Sequence, residues 1–347
     1  MSTNSYLKAG INLKAAETFV SGISQIAKNT FNENVIGGIG GFAGLFRLPA
    51  NYRKPVLVAC TDGVGSKLKL AYQNNYFDFI GQDLVAMCVN DLLCAGAKPL
   101  FFLDYLATEK LDPEKALIIA DSIAKACKLC NMPLLGGETA ELPGMLPEKG
   151  YELAGFSVGI VEEDLILNPL NCTEKDVLIG LPSSGVHSNG YSLIRSVLEN
   201  NKNLDLKKVY NQYALENSLL EEIMKPTKIY HSIVQDILSK VKAMAHITGG
   251  GLPENLPRAF NKKNLKAIIQ KDSWDILPIF KFLQSEGNID PAEMLKVFNL
   301  GLGLVLIVSP ENKADVFATL DSFNEKYFEI GYLEHKITEK EPDLLFI

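Results

Sequence analysis

Between Val56 and Tyr105 the chain lays out a strand, a glycine turn, a helix and a second strand, and sets three carboxylates among apolar neighbours. VLVAC, Val56 to Cys60, is a short apolar strand that breaks at once into TDGVGSK, Thr61 to Lys67. Glycines this close to a strand end permit a tight turn and close approach of backbone to a ligand. DLVAMCVNDLLCAGAKP then reads as a helix, with Leu84, Cys88, Leu92 and Ala95 on one apolar stripe. Gly96 is placed to end it, and Pro99 forbids its return. Asp91 falls on the same stripe, where an ionised carboxylate is costly unless a cation, a metal or several donors meet it. Asp62 stands at a strand end, and Asp104 closes the apolar run Leu100 to Leu103. Each acid alone reads equally well as a capped or salt-bridged structural group. The three together favour a magnesium–phosphate site, because magnesium takes oxygen ligands and leans on substrate phosphates.

A length of 347 residues predicts two domains, and 47% hydrophobic with 22% charged residues fits an ordinary globular protein. A net charge of −7 argues against nucleic-acid or anionic-membrane partners. The opening residues lack the apolar core of a signal peptide, and Leu302 to Val308 is far shorter than the roughly 20 residues a membrane helix needs. A cytoplasmic protein with six free thiols is expected. Cys127 and Cys130 form a C-x-x-C without a second pair at zinc spacing, so burial in a helix explains them better.

Along the chain, residues 13–28 predict an amphipathic helix with Phe19, Val20, Ile23, Ile26 and Ala27 on one side. GGIGGFAGLF, Gly37 to Phe46, is too glycine-rich for a helix or a central strand and reads as a mobile loop. Its backbone N–H groups suit phosphates, but it completes neither G-x-G-x-x-G nor a Walker A. The chain holds no Gly-Lys pair, which argues against a P-loop enzyme. Asp112 and Pro113 open a helix to about Cys130. PLLGGETAELPGM follows as a strand, two glycines and the acids Glu138 and Glu141. Glu138 either points from a strand end into a crevice or is a solvated loop acid. The polar segment 162–176 marks a boundary between domains at about 1–165 and 170–347.

The second half repeats one scheme. VLIGL leads through PSSGVHSNG into a helix, and AMAHI leads through TGGG into LPENLPRAF. Loops rich in Ser, Thr and Gly ahead of a helix offer N–H donors and a favourable dipole to a phosphate. His187 and His246 sit in these matching loops, as structural residues or as proton carriers. The chain closes with the Gly-kinked strand FNLGLGLVLIV, a helix from about Glu311 to Phe323, and the strand FEIGYL.

TDGVGSK, the Asp91-x4-Gly96-Ala97-x-Pro99 element, FFLDY, GGETAELPGM and SSGVHSNGYSL, in this order, resemble the phosphoribosylformylglycinamidine cyclo-ligases, or aminoimidazole ribonucleotide synthetases. The resemblance spans nearly the whole chain, from YLKAG to FNLGLG, and implies an α/β fold in two domains, with N-terminal sheets pairing into a dimer barrel. It implies ATP-dependent closure of formylglycinamidine ribonucleotide to aminoimidazole ribonucleotide, with magnesium. Carried over residue by residue, it gives ATP the loop glycines Gly37, Gly38, Gly40 and Gly41 with Asp62, Lys67 and Asp91. The metal falls to Asp62, Asp91 and Glu138. The ribotide falls to Ser184, Gly185, His187, Ser188, Asn189 and Thr248, Gly249, Gly250, Gly251, with His187 or His246 moving a proton. Leu146 stands where many relatives carry an aromatic, which bears on packing. Two rivals share the Asp-x4-Gly-Ala-x-Pro element. A kinase resembling thiamine-monophosphate kinase should lack GGETAELPGM and PSSGVHSNGYSL in this form, and a selenophosphate synthetase wants a reactive Cys ahead of Cys60. A nucleotide sensor without turnover is the third alternative.

Overall fold

A computed structural model describes residues 13–347. They divide into two compact units, one running through Leu92 and then Lys98–Glu163, the other taking Leu93–Ala97 and Asp164–Ile347.

In the first unit, α1 (Leu13–Lys28) buries Ala15, Phe19 and Ala27, as its periodicity requires, although Val20 faces solvent. The two-residue strands β1 (Val35–Ile36) and β2 (Leu45–Phe46) pair antiparallel and bracket the glycine loop. Then come β3 (Pro55–Gly63), α2 (Lys67–Gln73), α3 (Ile80–Cys94), β4 (Lys98–Thr108), α4 (Pro113–Leu129), β5 (Leu134–Glu141) and β6 (Tyr151–Glu162). The sheet order is β3-β6-β4-β5, with only β4 and β5 parallel. The Asp112 side chain caps α4 by accepting from Lys115 N, and Pro113 fills the first turn.

Alternation separates the two faces of this sheet. Asp62, Gly155, Asp104 and Gly137 lie opposite one another in a single cross-strand row. On that face a Cβ at Gly155 would meet Leu84 and Cys88 of α3, so the helix lies directly on the sheet. The other face carries Leu57, 55% exposed, and Phe156, 43% exposed, with Thr61 and the half-buried Leu103 and Tyr105. It is an apolar sheet face left largely open.

The second unit contains β7 (Val177–Pro182), α5 (Tyr191–Asn200), α6 (Leu219–Met224), α7 (His231–Ile237), β8 (Val241–His246), α8 (Gly251–Asn255) and β9 (Leu265–Ile269). It continues through α9 (Pro278–Gly287), α10 (Pro291–Val297), β10 (Leu302–Val308), α11 (Lys313–Ser322), β11 (Phe328–His335) and β12 (Leu344–Phe346). The sheet order is β12-β9-β11-β7-β10-β8. Leu178, Ala243, Ile247, Phe260, Ala267 and Leu333 belong to its buried core. β7 and β8 both run antiparallel to β10, one on each side, so their C-terminal ends emerge at the same sheet edge. The kink expected in FNLGLG is a shift of register between Leu302 and Leu304. All six cysteines are free thiols, and Cys127 and Cys130 are buried. Among the described residues no helix is long and apolar enough to cross a membrane.

Candidate functional site

One correction concerns Asp91. The sequence places it on the apolar stripe of α3, yet its residue is exposed, while Asp83 and Asn90 are the buried polar groups of that helix. α3 is buried around most of its circumference, so one stripe does not define its inner side. Asp91 therefore stands where solvent or a ligand reaches it.

Asp62 is half-buried at the end of β3, with Oδ1 accepting from Gly63 N at 2.7 Å. Glu138 is exposed on β5, the opposite edge strand. Their oxygen donors suit magnesium. They do not gather, however: among the described residues no three His, Cys, Asp or Glu side chains of this chain are placed to share a metal. Asp104, in the same row as Asp62, is buried at 5% exposure, and its Oδ1 has no hydrogen-bond partner. Burial pushes its carboxyl up to about 7.

Lys67 opens α2 fully buried, its Nζ 2.8 Å from Asp83 Oδ1 and 2.7 Å from Oδ2, with neither side chain exposed. Burial pulls the ammonium below its ordinary value, against the opposing pull of Asp83. This places Lys67 inside the unit and not at a phosphate-facing surface. Gly37, Gly38 and Gly40 are exposed, with no non-adjacent heavy atom within 4 Å of a Cβ built on any of them. The same test at Gly41 meets only Ala43 O, at 3.6 Å. The loop stands open to whatever binds there. A separate cavity of about 520 Å³ in this unit, walled by Tyr72, Phe77 and Tyr151, holds none of the residues predicted for the site.

In the second unit the two predicted loops meet. Gly190 before α5 and Gly250 before α8 both take positive φ, +78° and +92°, so each loop turns into its helix through a left-handed residue. Asn189 Oδ1 lies 3.5 Å from the place of a Cβ on Gly249. Two asparagines absent from the sequence reading shape the loops. Asn299 Nδ2 donates to Gly185 O at 3.0 Å and its Oδ1 accepts from Gly301 N at 2.8 Å. Asn255 Nδ2 donates to Gly249 O at 3.0 Å and Gly251 O at 2.9 Å. Ser184 Oγ donates to Pro226 O, and Ser188 Oγ lies 2.9 Å from Thr227 Oγ1, so both hydroxyls tie their loop to one neighbouring segment. What this edge presents outward is Asn189, Thr248 and Gly249 with the surrounding main chain. Such a surface suits the phosphate and hydroxyls of a sugar phosphate. His187 and His246 are both buried, at 1% and 5% exposure.

Comparison with known proteins identifies the family. Residues 40–161 match the family described as AIR synthase related protein, N-terminal domain, and residues 173–340 match its C-terminal domain. The chain is 48% identical over 329 residues to the phosphoribosylformylglycinamidine cyclo-ligase of Geobacillus thermodenitrificans, covering 94% of each chain. It is 46% identical over 335 residues to that of Prochlorococcus marinus, covering 95% of each. In fold it is similar to thiamine-monophosphate kinase from Stenotrophomonas maltophilia, with TM-score 0.70 at 17% identity and 95% of each chain covered. It is also similar to the hydrogenase maturation protein HypE in complex with ATP, with TM-score 0.65 at 15% identity, covering 95% of this chain and 89% of that one.

Proposed function

The chain belongs to the phosphoribosylformylglycinamidine cyclo-ligase family, and from that premise we propose how its residues divide the work. The reaction converts formylglycinamidine ribonucleotide and ATP to 5-aminoimidazole ribonucleotide, ADP and phosphate, in purine biosynthesis. A formamide carbonyl is a poor electrophile with a poor leaving oxygen. Phosphorylating that oxygen makes phosphate the leaving group, and the substrate's own nitrogen, held nearby, closes the five-membered ring. The protein needs to align the groups, offset phosphate charge and exclude water.

In our reading the first unit takes ATP and the second takes the ribotide. Asp62, Asp91 and Glu138 hold magnesium, which would neutralise charge on the nucleotide phosphates. Gly37, Gly38, Gly40 and Gly41 fold over those phosphates. Lys67 builds the site from within through Asp83. The ribotide assignment rests above all on the meeting of two glycine-bearing loops at one sheet edge, with Asn189 against Gly249.

The spread of the acids also points to a second copy of the chain. Asp62 lies on one edge strand and Glu138 on the other, and the apolar face bearing Leu57 and Phe156 is open. Two such sheets closing face to face into a barrel would cover that face and remove both edges. Each β5 edge would then lie beside the partner's β3, setting the strand that carries Glu138 of one subunit next to the strand that carries Asp62 of the other. A cytosolic location, where six free thiols stay reduced, belongs to the same reading.

Subunit complementation tests this. Asp62→Asn and Glu138→Gln homodimers should each be inactive. Mixed and allowed to exchange subunits, they should regain formation of aminoimidazole ribonucleotide, because one site per mixed dimer again has both acids. No recovery in a mixture shown to contain mixed dimers would rule out the shared site.

A further inference from the structure

We infer that His187 is a positioning residue, which holds the Ser183–Asn189 loop in its binding shape instead of carrying a proton. The inference rests on the reading of that loop as the ribotide site. His187 sits at φ +64°, a backbone region that non-glycine residues occupy only when their surroundings hold them there. Its ring Nε2 lies 3.2 Å from Ser184 N and 3.5 Å from Lys228 N. A main-chain N–H can only donate, so Nε2 is the acceptor in both contacts and the neutral ring carries its proton on Nδ1. Taking up a further proton at Nε2 would set donor against donor at both amides. That nitrogen is committed to the fold.

The neighbours agree. Tyr191 Oη reaches both Ile223 O and, at 3.1 Å, His187 O with its single proton, so the residue's backbone lies against the first turn of α5. A Cβ on Gly303 would fall 2.6 Å from the imidazole Cε1 and 2.0 Å from Tyr230 Oη, so the ring has its place only because position 303 lacks a side chain. Ser184 to Pro226, His187 to Lys228 and Ser188 to Thr227 form three successive ties between the loop and residues 226–228. The imidazole also bonds within its own loop, to Ser184.

Two variants separate positioning from proton transfer. His187→Ala removes the acceptor; His187→Gln keeps an acceptor oxygen of similar reach but cannot titrate. Positioning predicts that His187→Ala raises KM for formylglycinamidine ribonucleotide roughly tenfold or more, about the worth of a lost hydrogen bond with its ordering. KM for ATP and the pH profile of kcat should stay as they are. Hydrogen exchange at the Ser184 and Lys228 amides should speed up in His187→Ala, and His187→Gln should restore most of both properties. General acid–base catalysis instead predicts a loss of about 10²–10⁴ in kcat for both variants with KM unchanged, and that result would overturn the inference. Unchanged exchange at both amides would overturn it as well. Should His187→Ala fail to fold, His187→Gln alone still decides, through kcat and amide exchange. Wild-type protein that turns over no ribotide would refute the loop's assignment, while the exchange measurement would still report on the imidazole's hold.

Discussion

Asp83→Ala should cost the first unit about 3–5 kcal/mol of stability, the usual result of removing one partner from a buried ion pair. Lys67 and Asp83 are both fully buried and joined at 2.7–2.8 Å. Without Asp83 the ammonium stays in a low-dielectric interior and loses the carboxylate that faces it, and burial already lowers its proton affinity. For a unit of about 150 residues this corresponds to a fall in melting temperature of roughly 10 °C. Replacing both partners by apolar residues of similar size, Lys67→Met with Asp83→Leu, should recover most of the loss. Urea titration of the three proteins measures this. A single variant within about 1 kcal/mol of wild type would mean that the pair is effectively solvated.

The second large effect concerns Asp104 and changes with pH. Its carboxyl titrates at about 7 when folded, against 3.8 for the unperturbed group, and the cause is burial. The folded chain therefore keeps this proton after the unfolded chain has released it. Below the unfolded value Asp104 costs nothing. From there to about pH 7 the cost grows by about 1.4 kcal/mol per unit, and above that it stays at its full value, roughly 4 kcal/mol at most. Asp104→Asn keeps the shape without the charge, so it should remove this slope and stabilise the protein by a few kcal/mol at pH 8, with little change at pH 4. The surroundings are dry: Asp104 Oδ1 occupies space that a Cβ on Gly137 would need, and burial also raises the pKa of the Cys127 thiol, with a smaller contribution from Asp104. Urea midpoints for both proteins from pH 4 to 8.5 supply the comparison. An identical slope in the variant would show that Asp104 ionises freely.

The sequence disclosed most where local chemistry is decisive. Residues 13–28 form the expected helix because Phe19 and Ala27 recur at helical spacing, and the loops at Ser183–Gly190 and Thr248–Gly251 follow from small, polar residues between strand and helix. It misled at α3, where burial of nearly the whole helix leaves no single stripe and Asp91 falls outside. The Lys67–Asp83 pair spans 16 positions and forms only once α2 and α3 have packed. Asn255 and Asn299 were hidden for a related reason, since an asparagine beside glycines looks like a turn residue until its distant acceptors are in place. The strands β9 and β12 escaped because LKAII and LLF are too short to show a period.

In the proposed mechanism a formyl oxygen is phosphorylated and then expelled as the ring closes. Substrate carrying heavy oxygen at the formyl group is incubated with the protein and magnesium ATP, and the inorganic phosphate is analysed by mass. The account predicts one labelled oxygen in phosphate for each aminoimidazole ribonucleotide formed. A kinase would retain a phosphorylated product, and a bystander ATPase would take its oxygen from water. Unlabelled phosphate alongside cyclised product would contradict the mechanism, and the absence of any cyclised product would contradict the function itself.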